Sequence, residues 1–86
     1  FVYEIYPTNK KVERVLLELI ASRGDAVEKL QKLKENPRKS VGAHPLHGQL
    51  SGKWSCWLGS NIRMIYFIDD VNKRIEVEAI GSHKIY

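Results

Sequence analysis

Apolar positions recur with a helical period through the first 36 residues and alternate with a strand period after residue 52. Phe1 to Tyr6 is rich in aromatic and β-branched residues and reads as a first strand, ended by Pro7. Val12, Val15, Leu16, Leu19 and Ile20 form one apolar stripe. The stripe predicts a helix capped by Thr8 or Asn9 and closed by Gly24. Asp25, with Glu28 three residues on, predicts the cap of a second helix. Its buried face would hold Ala26, Val27, Leu30 and Leu33, and Asn36-Pro37 would stop it.

Residues 38–52 are rich in Gly, Pro, His and Ser and read as a loop. From Lys53 to Leu58 the chain alternates, with Trp54, Cys56 and Leu58 on one face and Ser55 and Trp57 on the other. Gly59-Ser60-Asn61 is a turn. Ile62 to Ile68 is apolar apart from Arg63, which predicts a central strand buried on both faces. Asp69 to Asn72 turns again, and Arg74, Glu76 and Glu78 then alternate with Ile75, Val77 and Ala79. Hairpin-length turns make the last three strands an antiparallel meander. The expectation is a single α+β domain over residues 1–86, ordered β-α-α-β-β-β. An N-terminal strand and a helical hairpin would pack on a twisted, mainly antiparallel sheet.

Composition narrows the class of protein. The chain has 86 residues, and a domain of this size buries only about 60% of its unfolded surface. Fourteen Lys and Arg against ten Asp and Glu give a net charge of +4, which fits a polyanionic partner such as nucleic acid. Cys56 is the single cysteine, so no internal disulfide is expected, and CxxC or Cys/His zinc spacings are absent. No apolar run approaches the ~20 residues of a membrane span. No signal peptide is visible, although the first residue is Phe1 and not Met. A cytoplasmic protein is the expectation.

Two residues stand out as chemistry. Arg63 interrupts the most apolar strand, where an unpaired guanidinium is costly to bury. It either pairs with a glutamate such as Glu76 or Glu78 on an open sheet face, or aims at a phosphate, and the residues alone leave the two even. His83 follows Gly81-Ser82 just after the last strand, where glycine lets the backbone carry an imidazole to a cleft edge. His44 and His47 lie in the loop before the meander. Two imidazoles and a guanidinium suit RNA cleavage without a metal. A His/His metal site competes, but no HExxH-type motif supports it. Trp54 reads as core. Trp57 and Tyr86 are candidates to stack on a base. Lys53, Lys39 and Arg38 are candidate phosphate contacts.

From His44 onward the chain resembles the RelE/ParE superfamily of toxin–antitoxin toxins, and within it the YoeB and YafQ type. The residues that carry the resemblance are His44-Pro45-Leu46, Leu50 to Ser55, Asn61 to Tyr66, and Gly81-Ser82-His83 with Tyr86 behind it. The resemblance implies a ribonuclease that cuts mRNA in the ribosomal A site and is silenced by a cognate antitoxin. It needs no cofactor. Arg63 falls where the family places its phosphate-stabilising arginine, and His83 where it places a general acid. His44 falls where YafQ-like members have a catalytic histidine and YoeB-like members a glutamate base. Tyr86 falls near the aromatic that supports the site. Lys53, Ser55 and Trp57 would face the RNA. Trp57 departs from the pattern, because relatives usually carry Arg or Lys there. The expectation is an enzyme attenuated by the loss of that cation. A ParE-like gyrase inhibitor that acts by binding is the alternative, and His44 with His83 argues against it.

Overall fold

The computed structural model describes residues 2–59 and 61–81. The elements are β1 (Glu4–Pro7), α1 (Lys10–Ser22), α2 (Gly24–Glu35), β2 (His44–Pro45), a single 3-10 turn (Gly48–Leu50), β3 (Trp54–Gly59), β4 (Ile62–Asp69) and β5 (Arg74–Gly81). The strands form one sheet in the order β1-β5-β4-β3-β2. β1 runs parallel to β5, and the remaining pairs are antiparallel. The α+β class and the meander are as expected.

Both helices cover one face of the sheet. Val12, Leu16 and Leu19 of α1 and Ala26, Leu30 and Leu33 of α2 meet Cys56, Leu58, Met64, Tyr66, Ile68, Ile75 and Val77. Tyr66 is fully buried and donates its hydroxyl to the Pro37 carbonyl at 2.7 Å, so its one polar atom is satisfied. The Asn9 side chain accepts from the Val12 N–H at 2.9 Å and caps α1.

Several expectations are corrected. Pro7 closes β1 from inside the strand, which an edge position allows. Thr8 N–H reaches the Val77 carbonyl in its place, at 3.1 Å. Gly24 begins α2 and does not close α1, and Asp25 is not the cap. Its carboxylate pairs with Arg23 at 3.0 Å in the first helical turn, which holds its pKa below the usual carboxylate range. Ile20 and Val27 lie at the edge of their stripes and are exposed. They open on a groove lined also by Ile5, Leu16 and Leu30. β4 is buried on both faces only at its centre, because Phe67 is 41% exposed. The loop at 38–52 contains an unexpected fifth strand, β2, which pairs with β3.

Asp70, in the β4–β5 turn, ties three segments together. Arg38 donates to both of its oxygens, at 3.2 and 2.7 Å, and the Tyr3 hydroxyl donates at 2.6 Å. These donors, Arg38 first, depress the Asp70 carboxyl from 3.8 to about 2. A depressed folded-state pKa contributes stability above the unfolded value and loses it as pH falls toward the folded value. Asp70→Asn should therefore lower the melting temperature at pH 6. The gap to the parent should narrow as pH falls through 3.8 toward about 2. A gap of constant size in thermal melts across that range would show that the carboxylate does not hold these segments.

Candidate functional site

The face of the sheet opposite the helices carries the residues singled out in the sequence. Directly opposed residues in an antiparallel ladder share a face, so the register defines two rows. One row runs His44, Ser55, Ile65 and Ala79, and the next runs Trp57, Arg63 and Gly81. Two interstrand spacings and one strand repeat separate the His44 and Arg63 backbones, a span of roughly 12 Å.

A tight turn at residues 40–43 positions His44. Ala43 N–H donates to the Ser40 carbonyl at 2.9 Å, and both central residues have positive φ, 47° at Val41 and 70° at Gly42. A β-branched residue is strained in that region. Three contacts hold it there. The Ser40 hydroxyl lies 3.0 Å from the Lys32 carbonyl and 2.6 Å from that of Asn36, at the end of α2. Trp57 N–H donates to the Val41 carbonyl at 3.0 Å. The His44 ring closes the arrangement, with Nδ1 at 3.0 Å from the Gly42 carbonyl. A carbonyl only accepts, so Nδ1 carries the proton and the neutral ring presents Nε2 as its basic nitrogen.

Arg63 does not pair with Glu78. Its guanidinium lies over the Trp57 ring, 4.1 Å from the centroid. Trp57 is half-buried, and a Cβ placed on Gly42 would sit 2.8 Å from its Cδ1. Glu78 pairs instead with Lys53. It sits beside a shift of register between β4 and β5, where Ile65 faces Ala79 but Tyr66 faces Val77.

The other candidates are spread more widely. Ser55 is fully buried beneath the face, and its Oγ has no hydrogen-bond partner among the described residues. Arg38 is engaged by Asp70 and also lies 5.9 Å from the Trp54 ring centroid. Trp54 packs partly buried against the core, as expected. Lys39 is exposed, and His47 is an exposed residue at the start of the 3-10 turn. His83 and Tyr86 lie outside the described residues. Burial pushes the Cys56 thiol up to about 12, which leaves it a packing residue and not a nucleophile. Among the described residues no three His, Cys, Asp or Glu side chains converge on a possible metal position. No described helix is long and apolar enough to cross a membrane. Sequence reasoning missed Val41 and Gly42. Only Gly42 left a signal, as a glycine two residues before a candidate histidine.

This architecture is the fold of the RelE-, YoeB- and YafQ-type toxins. It is similar to the toxin–antitoxin complex RelBE2 from Mycobacterium tuberculosis, with a TM-score of 0.73 and 21% identity, over 96% of this chain and 100% of that one. It is similar to the YoeB/ParE toxin from Agrobacterium tumefaciens at a TM-score of 0.71 and 21% identity, over 93% of this chain and 98% of that one. YafQ from E. coli strain BL21(DE3) follows at 0.63 and 20% identity, over 94% of this chain and 93% of that one. No protein-family model matches the chain, and no curated protein matches it in sequence.

Gly42→Ala should be felt at this site first. The new methyl meets both a positive φ and the indole edge, for a cost of about 1–2 kcal/mol. Urea denaturation should show that loss, and the tryptophan emission should shift as Trp57 is displaced. An unchanged midpoint and spectrum would refute the close approach of Gly42 to Trp57.

Proposed function

We propose that the chain is the toxin of a type II toxin–antitoxin system and an endoribonuclease that cuts mRNA on the ribosome. The observation that supports this best is the sheet face opposite the helices, which carries an anchored His44 and the Arg63 guanidinium in adjacent rows. His44 Nε2 takes the proton from a ribose 2′-OH as that oxygen attacks the adjacent phosphorus. The new 2′-O–P bond forms as the P–O5′ bond breaks, and His83 delivers a proton to the leaving 5′-oxygen. Arg63 stabilises the charge that builds on the phosphorane oxygens. The products are a 2′,3′-cyclic phosphate and a 5′-OH. Tyr86 supports the site or stacks on a base, and Lys53 contributes to the field around the RNA. Its pairing with Glu78 reduces its weight as a phosphate contact.

The partner that silences the toxin is a cognate antitoxin. Similar solved structures include toxin–antitoxin complexes, RelBE2 and YoeB-YefM. The groove beside Ile20 and Val27 gives such a protein an apolar surface on the side away from the chemistry.

Induction of the chain in cells should arrest growth and produce cuts within translated messages, mapped by primer extension. His44→Ala and Arg63→Ala should each reduce cutting by about 10²–10⁴-fold while the far-UV circular dichroism is unchanged. Growth arrest that persists in the double variant without cut messages would replace the nuclease with a ParE-like inhibitor that acts by binding.

A further inference from the structure

A bulge in β5 places a carboxylate beside the candidate site. Tyr66 faces Val77 and Ile65 faces Ala79, so Glu78 is the extra residue of the strand. Strict alternation from Ile75 and Val77 would bury Ala79 and turn Ile80 outward. The extra residue reverses this, and Ile80 packs against the core. Glu78 is left out of the ladder, and its side chain crosses β4 to pair with Lys53, next to β3. Lys53 stands one strand repeat from Ser55, the residue opposite His44. Its carbonyl accepts from the Leu46 N–H at 2.9 Å and its N–H donates to the Leu50 carbonyl at 3.0 Å, which ties it to the loop that follows His44. The Trp57 and Arg63 row lies on the other side of the His44 row.

This ion pair has no structural task that the ladder leaves undone. β3 and β5 are each paired with β4. The Arg38–Asp70 pair, by contrast, joins a loop to a turn. The Lys53–Glu78 pair is also easily exchanged, because its side chains are 30% and 36% exposed and water screens a pair of that kind. We propose that Lys53 is a second phosphate site on this face and that Glu78 occupies it in the free chain, to be displaced by a phosphodiester group of RNA. This rests on the nuclease reading, which supplies RNA as the ligand. An RNA strand carries a phosphate on every nucleotide. A strand whose scissile phosphate lies at the His44 and Arg63 rows therefore brings a neighbouring phosphate to the Lys53 row. Carboxylate and phosphate compete there for the same ammonium donors. Glu78 thus sets a threshold: it lowers the affinity of the face for RNA and favours strands that extend far enough to place a second phosphate at Lys53.

The test titrates a short fluorescent 2′-O-methyl RNA oligonucleotide, which has no free 2′-OH to attack and stays uncut, and follows its anisotropy. Glu78→Gln should tighten binding about fivefold. It should also steepen the dependence of log Kd on log salt by about 0.7, the increment of one phosphate contact on a single strand. Adding Lys53→Met to Glu78→Gln should return both quantities close to the parent values. Lys53→Met alone should weaken binding less than it does on the Glu78→Gln background. Glu76→Gln removes an equal charge from the same strand, at the position facing Phe67, and should leave the salt slope unchanged. Far-UV circular dichroism should be the same for every variant. Equal effects of Glu78→Gln and Glu76→Gln, or tight binding that survives the loss of Lys53, would make Glu78 one charge among many and overturn the proposal. So would an oligonucleotide that binds neither the parent nor Glu78→Gln. The nuclease reading fails separately: a chain that shows these binding shifts but cuts no translated message keeps the phosphate site and loses the chemistry.

Discussion

Two successive left-handed residues, Val41 and Gly42, are the constraint on which the candidate site depends. Val41 is strained at a φ of 47°, a conformation held only when the surroundings over-determine it. The surroundings here come from three directions. The end of α2 holds Ser40, β3 supplies the Trp57 N–H, and the fully buried Tyr66 fixes Pro37 just upstream. The helical layer and the sheet therefore meet at this turn. Its two carbonyls then do different work: that of Val41 fixes the strand bearing Trp57, and that of Gly42 sets the His44 tautomer.

The elements legible in the sequence are those whose pattern repeats often enough to be read. The α1 stripe covers more than three turns, and its central residues are buried as expected. The β3–β4–β5 meander announces itself through alternation and short turns. β2 was invisible because two residues carry no period. The second helix start was misread for a physical reason: Asp25 has capping chemistry, but Arg23 engages its carboxylate. Phe67 looked buried because its neighbours are apolar, yet it is exposed in the row it shares with Glu76.

The candidate site was legible as a set of residue types and not as a geometry. Arg63 drew attention because a guanidinium is out of place in an apolar strand. Which partner it takes depends on register, and register is a tertiary property. Glu78 was a plausible partner by spacing alone. The bulge near residue 78 aims it toward Lys53, and Trp57 is left opposite Arg63. Ser55 shares a face with His44, but packing buries it completely, which alternation cannot foresee.

A guanidinium can be held in place by a carboxylate or by an aromatic face. The usual way to hold an arginine is a carboxylate, and the surface of this protein uses it at Arg23 and Arg38. The Arg63 guanidinium also lies against an aromatic ring, a weaker hold, 4.1 Å from the indole centroid. The weakness is offset by rigidity elsewhere. Trp57 is fixed along its backbone by Val41 and along its ring edge by Gly42. The strain at residue 41 thus has a structural return: without the left-handed pair, neither the ring nor the imidazole would have its present anchor.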